Sequence, residues 1–170
     1  NASRYVIMNL GDMAAPQLPS ADKWDLADQW ILSRLNATVA QVSDQFEKFE
    51  FGEAGRALYN FIWNDFCDWY IEMTKEKLTN GTAEEQANTK NILGYVLDQI
   101  LKLMHPIMPF VTEKLWQAMP HDGESIMVAA YPTVNDQLAN PTAETKMDDL
   151  IALIKAVRQI RNDAGAPMSK

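Results

Sequence analysis

Residues 61–78, FIWNDFCDWYIEMTKEKL, bring together a thiol, four carboxylates and five aromatic rings. Cys67 stands between Asp65 and Asp68, and Asp65, Asp68 and Glu72 recur at helical spacing. Two chemistries follow from such residues, a thiol nucleophile or a carboxylate-bound metal. A reactive thiol needs an electropositive, partly exposed setting and a base within reach. At about 100° per residue, Asn64, Asp65, Asp68, Glu72, Lys75 and Glu76 fall within one third of the circumference, with Phe61 among them. Ile62, Trp63, Phe66, Cys67, Trp69, Tyr70, Met73 and Leu78 cover an arc of about 200°, twice the stripe of a surface helix. The segment is therefore expected to be a central helix touching at least two neighbours, with Cys67 an ordinary buried thiol and the acidic edge solvated. His105 precedes a proline at a helix end and is expected to be a structural cap; His121, in MPHDGES, is expected to be a solvated loop residue. One cysteine and two histidines show no metal-ligand spacing, and no glycine-rich phosphate loop is present. No catalytic site is expected within the chain.

The elements around this helix read as helical almost throughout. Leu26, Trp30, Leu35, Val39, Val42, Phe46 and Phe49 mark one face of a long helix, with Ser20 or Asp22 as its cap. FEFGEAG, residues 49–55, breaks the period before the aromatic helix, which runs to about Leu78. Thr82 and Glu85 form a capping box ahead of Ile92, Leu93, Val96, Leu97, Ile100, Leu101 and Met104. HPIMP ends that helix, and Pro109 starts the next. SIMVAAYP reads as a short extended piece, followed by a polar loop and a last helix from Thr142. The expected fold is all-α, an antiparallel helical bundle with a short extended segment and a trailing helix.

The chain has 170 residues, 47% of them hydrophobic, a net charge of −8 and a pI near 4.7. A core of useful size is possible, while acidity argues against broad, sequence-independent nucleic-acid binding, which phosphate neutralisation drives. A lone cysteine fits a reducing compartment. No apolar run approaches the roughly 20 residues that span a bilayer, and no signal peptide is evident, so a cytoplasmic location with no membrane partner is expected. The start on Asn rather than Met suggests a piece of a longer protein, and the three N-x-[ST] sequons (Asn1, Asn36, Asn80) read as chance matches.

NASRYVIMNL, LADQWILSRLN, FEFGEAGRALYNFIWNDFCDWYIEMTK, LMHPIMPFVTEKLWQ and SIMVAAYP occur in the order found in valyl-tRNA synthetases. The whole chain resembles the helical anticodon-binding domain of that class I aminoacyl-tRNA synthetase family. The resemblance implies residues 1–22 as a linking helix and loop from the catalytic core, 23–120 as the anticodon-binding bundle, and 121–170 as an extended segment, loop and trailing helix leading to a coiled-coil arm. It implies an anticodon stem-loop of tRNA as partner, together with the catalytic and editing domains of the parent chain, and no DNA. The parent would use ATP and magnesium to join valine to tRNA and would clear misacylated threonine, whereas this fragment would hold no cofactor. PMSK, at Pro167–Lys170, mimics half of a family ATP signature that belongs upstream, and reads as coincidence.

Carried onto this sequence, Arg4 would contact phosphate or a base edge and Tyr5 would stack on an unpaired base. Both roles suit single-stranded RNA loops. Ile71 would cover a base from the border of the apolar arc, Lys75 would meet phosphate, and Asn64 and Asp68 would hydrogen-bond bases. Tyr5 could equally be core, and Lys75 a partner of Glu72. Lys155, Arg158 and Arg161, spaced by three, are either a minor RNA contact or solvated cations near a helix C-terminus. A protein-interaction scaffold without an RNA role is the alternative.

Overall fold

Seven α-helices carry residues 1–165, the part of the chain described by this computed structural model; the PMSK motif lies outside it. Helix α1 (Ala2–Leu10) is followed by a loop and a short 3₁₀ turn at Ala21–Lys23. Ser20 precedes that turn, and the cap of α2 (Leu26–Glu47) is Asp25, not Ser20 or Asp22. Asp28 N donates to Asp25 Oδ1 at 2.8 Å and Asp25 N to Asp28 Oδ2 at 3.1 Å, a reciprocal capping box that satisfies two orphan donors at once. Helix α2 closes with Glu50 N on Gln45 O (2.8 Å) and Phe49 N on Phe46 O (3.1 Å), Phe49 taking the left-handed φ of 60° usually filled by glycine. The break thus occupies only residues 48–50. The two glycines of FEFGEAG lie inside α3 (Phe51–Asn60), because the closure already reverses the chain before them.

Helix α3, a π-helical segment (Phe61–Tyr70) and α4 (Ile71–Asn80) form one rod with helical dihedrals at both junctions. The π-helical segment overturns part of the expected face. Phe61 is buried, 3% exposed, and Trp63 is outside, 55% exposed, the reverse of the α-helical projection. A π-helix bonds i to i+5 and turns less per residue than an α-helix. Phe61, Phe66 and Tyr70, at steps of five and four, therefore share the inward face. Asp65 moves with them and accepts from Arg34 Nε at 3.0 Å, so Asp65 does not form an edge with Asp68 and Glu72. The rod packs against α2 on one side and α5 on the other, as a central element must.

Helix α5 (Ala83–Met104) starts at the expected Thr82–Glu85 box and buries Ile92, Leu93, Val96, Leu97, Ile100 and Leu101. Gly94 lets the loop after α1 approach: an added Cβ would meet Pro16 Cγ at 2.4 Å. Helix α6 (Pro109–Trp116) begins on Pro109, and Trp116 Nε1 ties it to Asp98 of α5 at 2.8 Å. SIMVAAYP is not one extended piece. Ser125 caps a 3₁₀ turn at Ile126–Val128, where burial of Ile126 and two bonds to Glu113 pull the chain onto α6. The polar loop is laced to α2 through Asn36 (to Asn135 N, 2.8 Å) and Ser33 (to Asn140 N, 2.8 Å), and Asn140 caps α7 (Pro141–Asp163).

One polar knot sits where α2 meets the rod. Asp28, 3% exposed, accepts from the Tyr70 hydroxyl at 2.7 Å and from Lys77 Nζ at 3.3 Å, and Lys77 also pairs with Asp25. Burial, then the Asp25 charge, raises the Asp28 pKa; burial likewise pushes Tyr70 well up, so its hydroxyl stays protonated. Removing Asp28 orphans the Tyr70 hydroxyl in the core, and removing that hydroxyl takes the donor from Asp28 Oδ1 while Oδ2 keeps Lys77 and the Asp25 amide. Tyr70→Phe is expected to cost about 1–3 kcal/mol in urea denaturation and Asp28→Ala about 2–4 kcal/mol, since it also removes the Asp28 half of the capping box. In the double variant the costs fall short of their sum, because both remove the same bond.

Candidate nucleic-acid interface

Three elements meet at the edge where the sequence places recognition. Helix α1 lies along α5 with its first residues beside the π-helical segment: Ala2 and Ser3 line a small apolar cavity with Ile62, Phe66 and Cys67. This docking brings Tyr5 to Lys75 of α4, whose ammonium stands 5.9 Å from the ring centroid. The same ammonium bonds Glu72 at 2.6 Å, an exposed pair of small energetic weight. Tyr5 is half-buried, one side packed on the core and the rest available; Arg4, one residue earlier, is exposed. A phenol ring with an ammonium 5.9 Å from its centroid, and an exposed guanidinium next to it in sequence, can stack on an unpaired base and neutralise its phosphate.

The other expected residues divide. Asn64 and Asp68 are exposed on the outward face of the π-helical segment, beside Trp63. Ile71 is only 5% exposed and belongs to the core; it does not sit at the border of the polar stripe, because the π-helical register delivers it inward just after Tyr70. Ile71 therefore supports the edge from beneath.

The reactive-thiol chemistry has no footing. Cys67 is half-buried, and burial, with the Asp68 charge added, pushes its thiol above the usual range. His105 caps α5 and its Nδ1 lies 2.8 Å from Thr112 Oγ1, the structural role expected. His121 is not free in solvent: its ring lies 3.8 Å from that of Trp116 and its Nδ1 is 2.8 Å from Met119 O, because the Gly123 turn folds the loop back on α6. Among the described residues no group of three or more His, Cys, Asp or Glu could hold a metal ion.

Sequence reasoning overlooked the part played by Trp69. Lys155 Nζ stands 5.9 Å and Arg158 Cζ 5.4 Å from its ring centroid, so two of the four cations of α7 grip the rod beside the candidate edge. The signal was available as the i,i+3 cation spacing, but not its target. Beyond Ile151, every residue of α7 except Ile154 is exposed, which leaves these contacts as an anchor for the outer half of the helix. Trp69→Ala is expected to speed amide exchange at residues 153–163 about tenfold, as two cation–π contacts of about 0.5–1 kcal/mol are lost, while α2 and α5 keep their protection.

Residues 28–170 match the family described as the anticodon-binding domain of tRNA ligase. The chain is 68% identical over 169 residues to valine–tRNA ligase of Lactiplantibacillus plantarum, covering 99% of this chain and 19% of that protein. It is 61% identical to the enzyme of that name from Latilactobacillus sakei and 53% identical to that from Enterococcus faecalis, each over 100% of this chain and 19% of the relative. The chain thus spans 19% of the length of these curated relatives. Among solved structures, a chain of the ternary complex of Agrobacterium radiobacter K84 agnB2 LeuRS, tRNA and LeuAMS shares the fold, with a TM-score of 0.56, 19% identity, and coverage of 82% of this chain and 16% of that one.

Proposed function

This chain belongs to the anticodon-binding domain family of tRNA ligases, and from that premise we propose that it is the anticodon-reading module of a valine–tRNA ligase. The parent polypeptide, acting in the cytoplasm, would use ATP and magnesium to join valine to its tRNA, with catalysis and editing in the remaining length of the chain. The module's division at residues 22 and 120, between linker, bundle and trailing segment, belongs to the same proposal.

One observation carries the reading: the half-buried Tyr5 ring held between the core and the Lys75 ammonium, with Arg4 exposed beside it. A base arriving on the free part of that ring displaces Lys75, whose flexible stem then reaches the flanking phosphate. Arg4 takes a second phosphate or a base edge, and Asn64 and Asp68 offer hydrogen bonds on the neighbouring turn. Few phosphates are met, so affinity comes from stacking and edge contacts more than from counterion release, which an acidic module can provide. The net charge of −8 is the observation that favours the competing scaffold reading.

Titration of the chain with a valine-tRNA anticodon stem-loop, and with an anticodon-swapped loop, at two salt concentrations separates the two. The expected result is preferential binding of the valine loop, weakened by about 1–3 kcal/mol in Tyr5→Ala. Lys75→Ala is expected to reduce the slope of log K against log salt by about 0.7. Equal binding of both loops, or no effect of Tyr5→Ala, would sink the assignment.

A further inference from the structure

A second surface has the opposite chemistry. Tyr59 and Trp63, one turn apart on the rod, are both exposed, with rings parallel within 4° and centroids 6.1 Å apart. They wall an open groove of about 240 Å³ whose far side is Met104, Ile107 and Met108. No charged side chain lines this groove, although 22% of the chain is charged. Gly55 also lines it. A helical glycine costs roughly 0.5–1 kcal/mol relative to alanine, yet an added Cβ there would meet nothing within 4 Å inside this chain. A larger side chain at Gly55 would therefore project into the groove without a clash inside this chain.

We infer that the face formed by Tyr59, Trp63, Met104, Ile107 and Met108 is where the rest of the longer polypeptide docks, protein on protein, on a surface that adjoins the RNA-reading edge. This rests on the reading of the chain as one module of a parent protein. The relatives carry four-fifths of their length outside the matched region, so an extensive polypeptide surface is available in cis. An exposed apolar patch marks an interaction site, and aromatic and Met side chains without charge form the core of a protein interface. RNA suits the face less well, since a stacked base brings phosphates that find no cation here. The occupant is therefore an uncharged, apolar surface of the same polypeptide.

The test compares the 170-residue chain with the full-length polypeptide containing it. Hydroxyl-radical labelling of Trp63 and Met108 is expected in the short chain and lost in the long one. Adding the anticodon stem-loop to the short chain leaves that labelling unchanged. Gly55→Leu is expected to raise the melting temperature of the short chain, through helix propensity, and to lower that of the long chain by filling the groove. Equal labelling in both chains, a Gly55→Leu shift of the same sign in both, protection by the stem-loop, or protection in the short chain that follows its self-association would each overturn the docking surface. The two readings fail separately. Loss of labelling in the long chain without stem-loop binding keeps the docking face and removes the RNA role, and binding with labelling retained does the reverse.

Discussion

A carboxylate inside the bundle sets the terms for everything around it. Asp28 is nearly inaccessible, and an ionised group in that position costs several kcal/mol unless each lone pair is met. The Tyr70 hydroxyl, the Lys77 ammonium and the Asp25 amide meet them. Those three groups belong to the far end of the π-helical segment, to α4 and to the start of α2, so satisfying one charge fixes three elements at once. The antiparallel register of α2 against the rod follows, with Asp28 opposite Tyr70 and Arg34 opposite Asp65. Packing then adds area around a geometry that polar satisfaction has already restricted.

The same knot governs what the rod shows to solvent. Since Tyr70 must point inward, Phe61 and Phe66 follow it at π-helical spacing, and Trp63, Asn64 and Asp68 are left outside. Ile71 then falls into the core, and Lys75, one turn on, emerges beside α1. The proposed recognition edge is thus a consequence of the rod's register. Its distinguishing property is that Tyr5 packs against the core yet stays partly exposed, so an aromatic ring is both supported and reachable.

The two exposed surfaces of this acidic chain differ in chemistry. The α1–α4 edge mixes cations, amides and a carboxylate around one aromatic ring, a composition suited to bases and their phosphates. The face at Tyr59 and Trp63 holds large apolar groups and no charge, a composition suited to another protein surface. Local composition, not the net charge of −8, decides which partner each face accepts, because charges separated by more than about 8–10 Å are largely screened at physiological salt.

Helix content, the Thr82–Glu85 start, the Pro109 start, the centrality of residues 61–78 and the structural part of His105 were all legible in the sequence, whereas Cys67, expected buried, is half-buried. Each depends on neighbours a few residues apart, through capping, proline geometry and hydrophobic period. Motif order along the chain was enough to indicate the family. The Asp25–Asp28 capping box was a local signal that reading from Ser20 and Asp22 passed over. The sequence failed where a contact between distant residues overruled a local rule. The switch to π-helical spacing put Phe61 in and Trp63 out, and the grip of Lys155 and Arg158 on Trp69 joined residues almost ninety positions apart. Local periodicity assumes one rotation per residue, and only the tertiary structure, by fixing where Tyr70 had to point, decided what that rotation was.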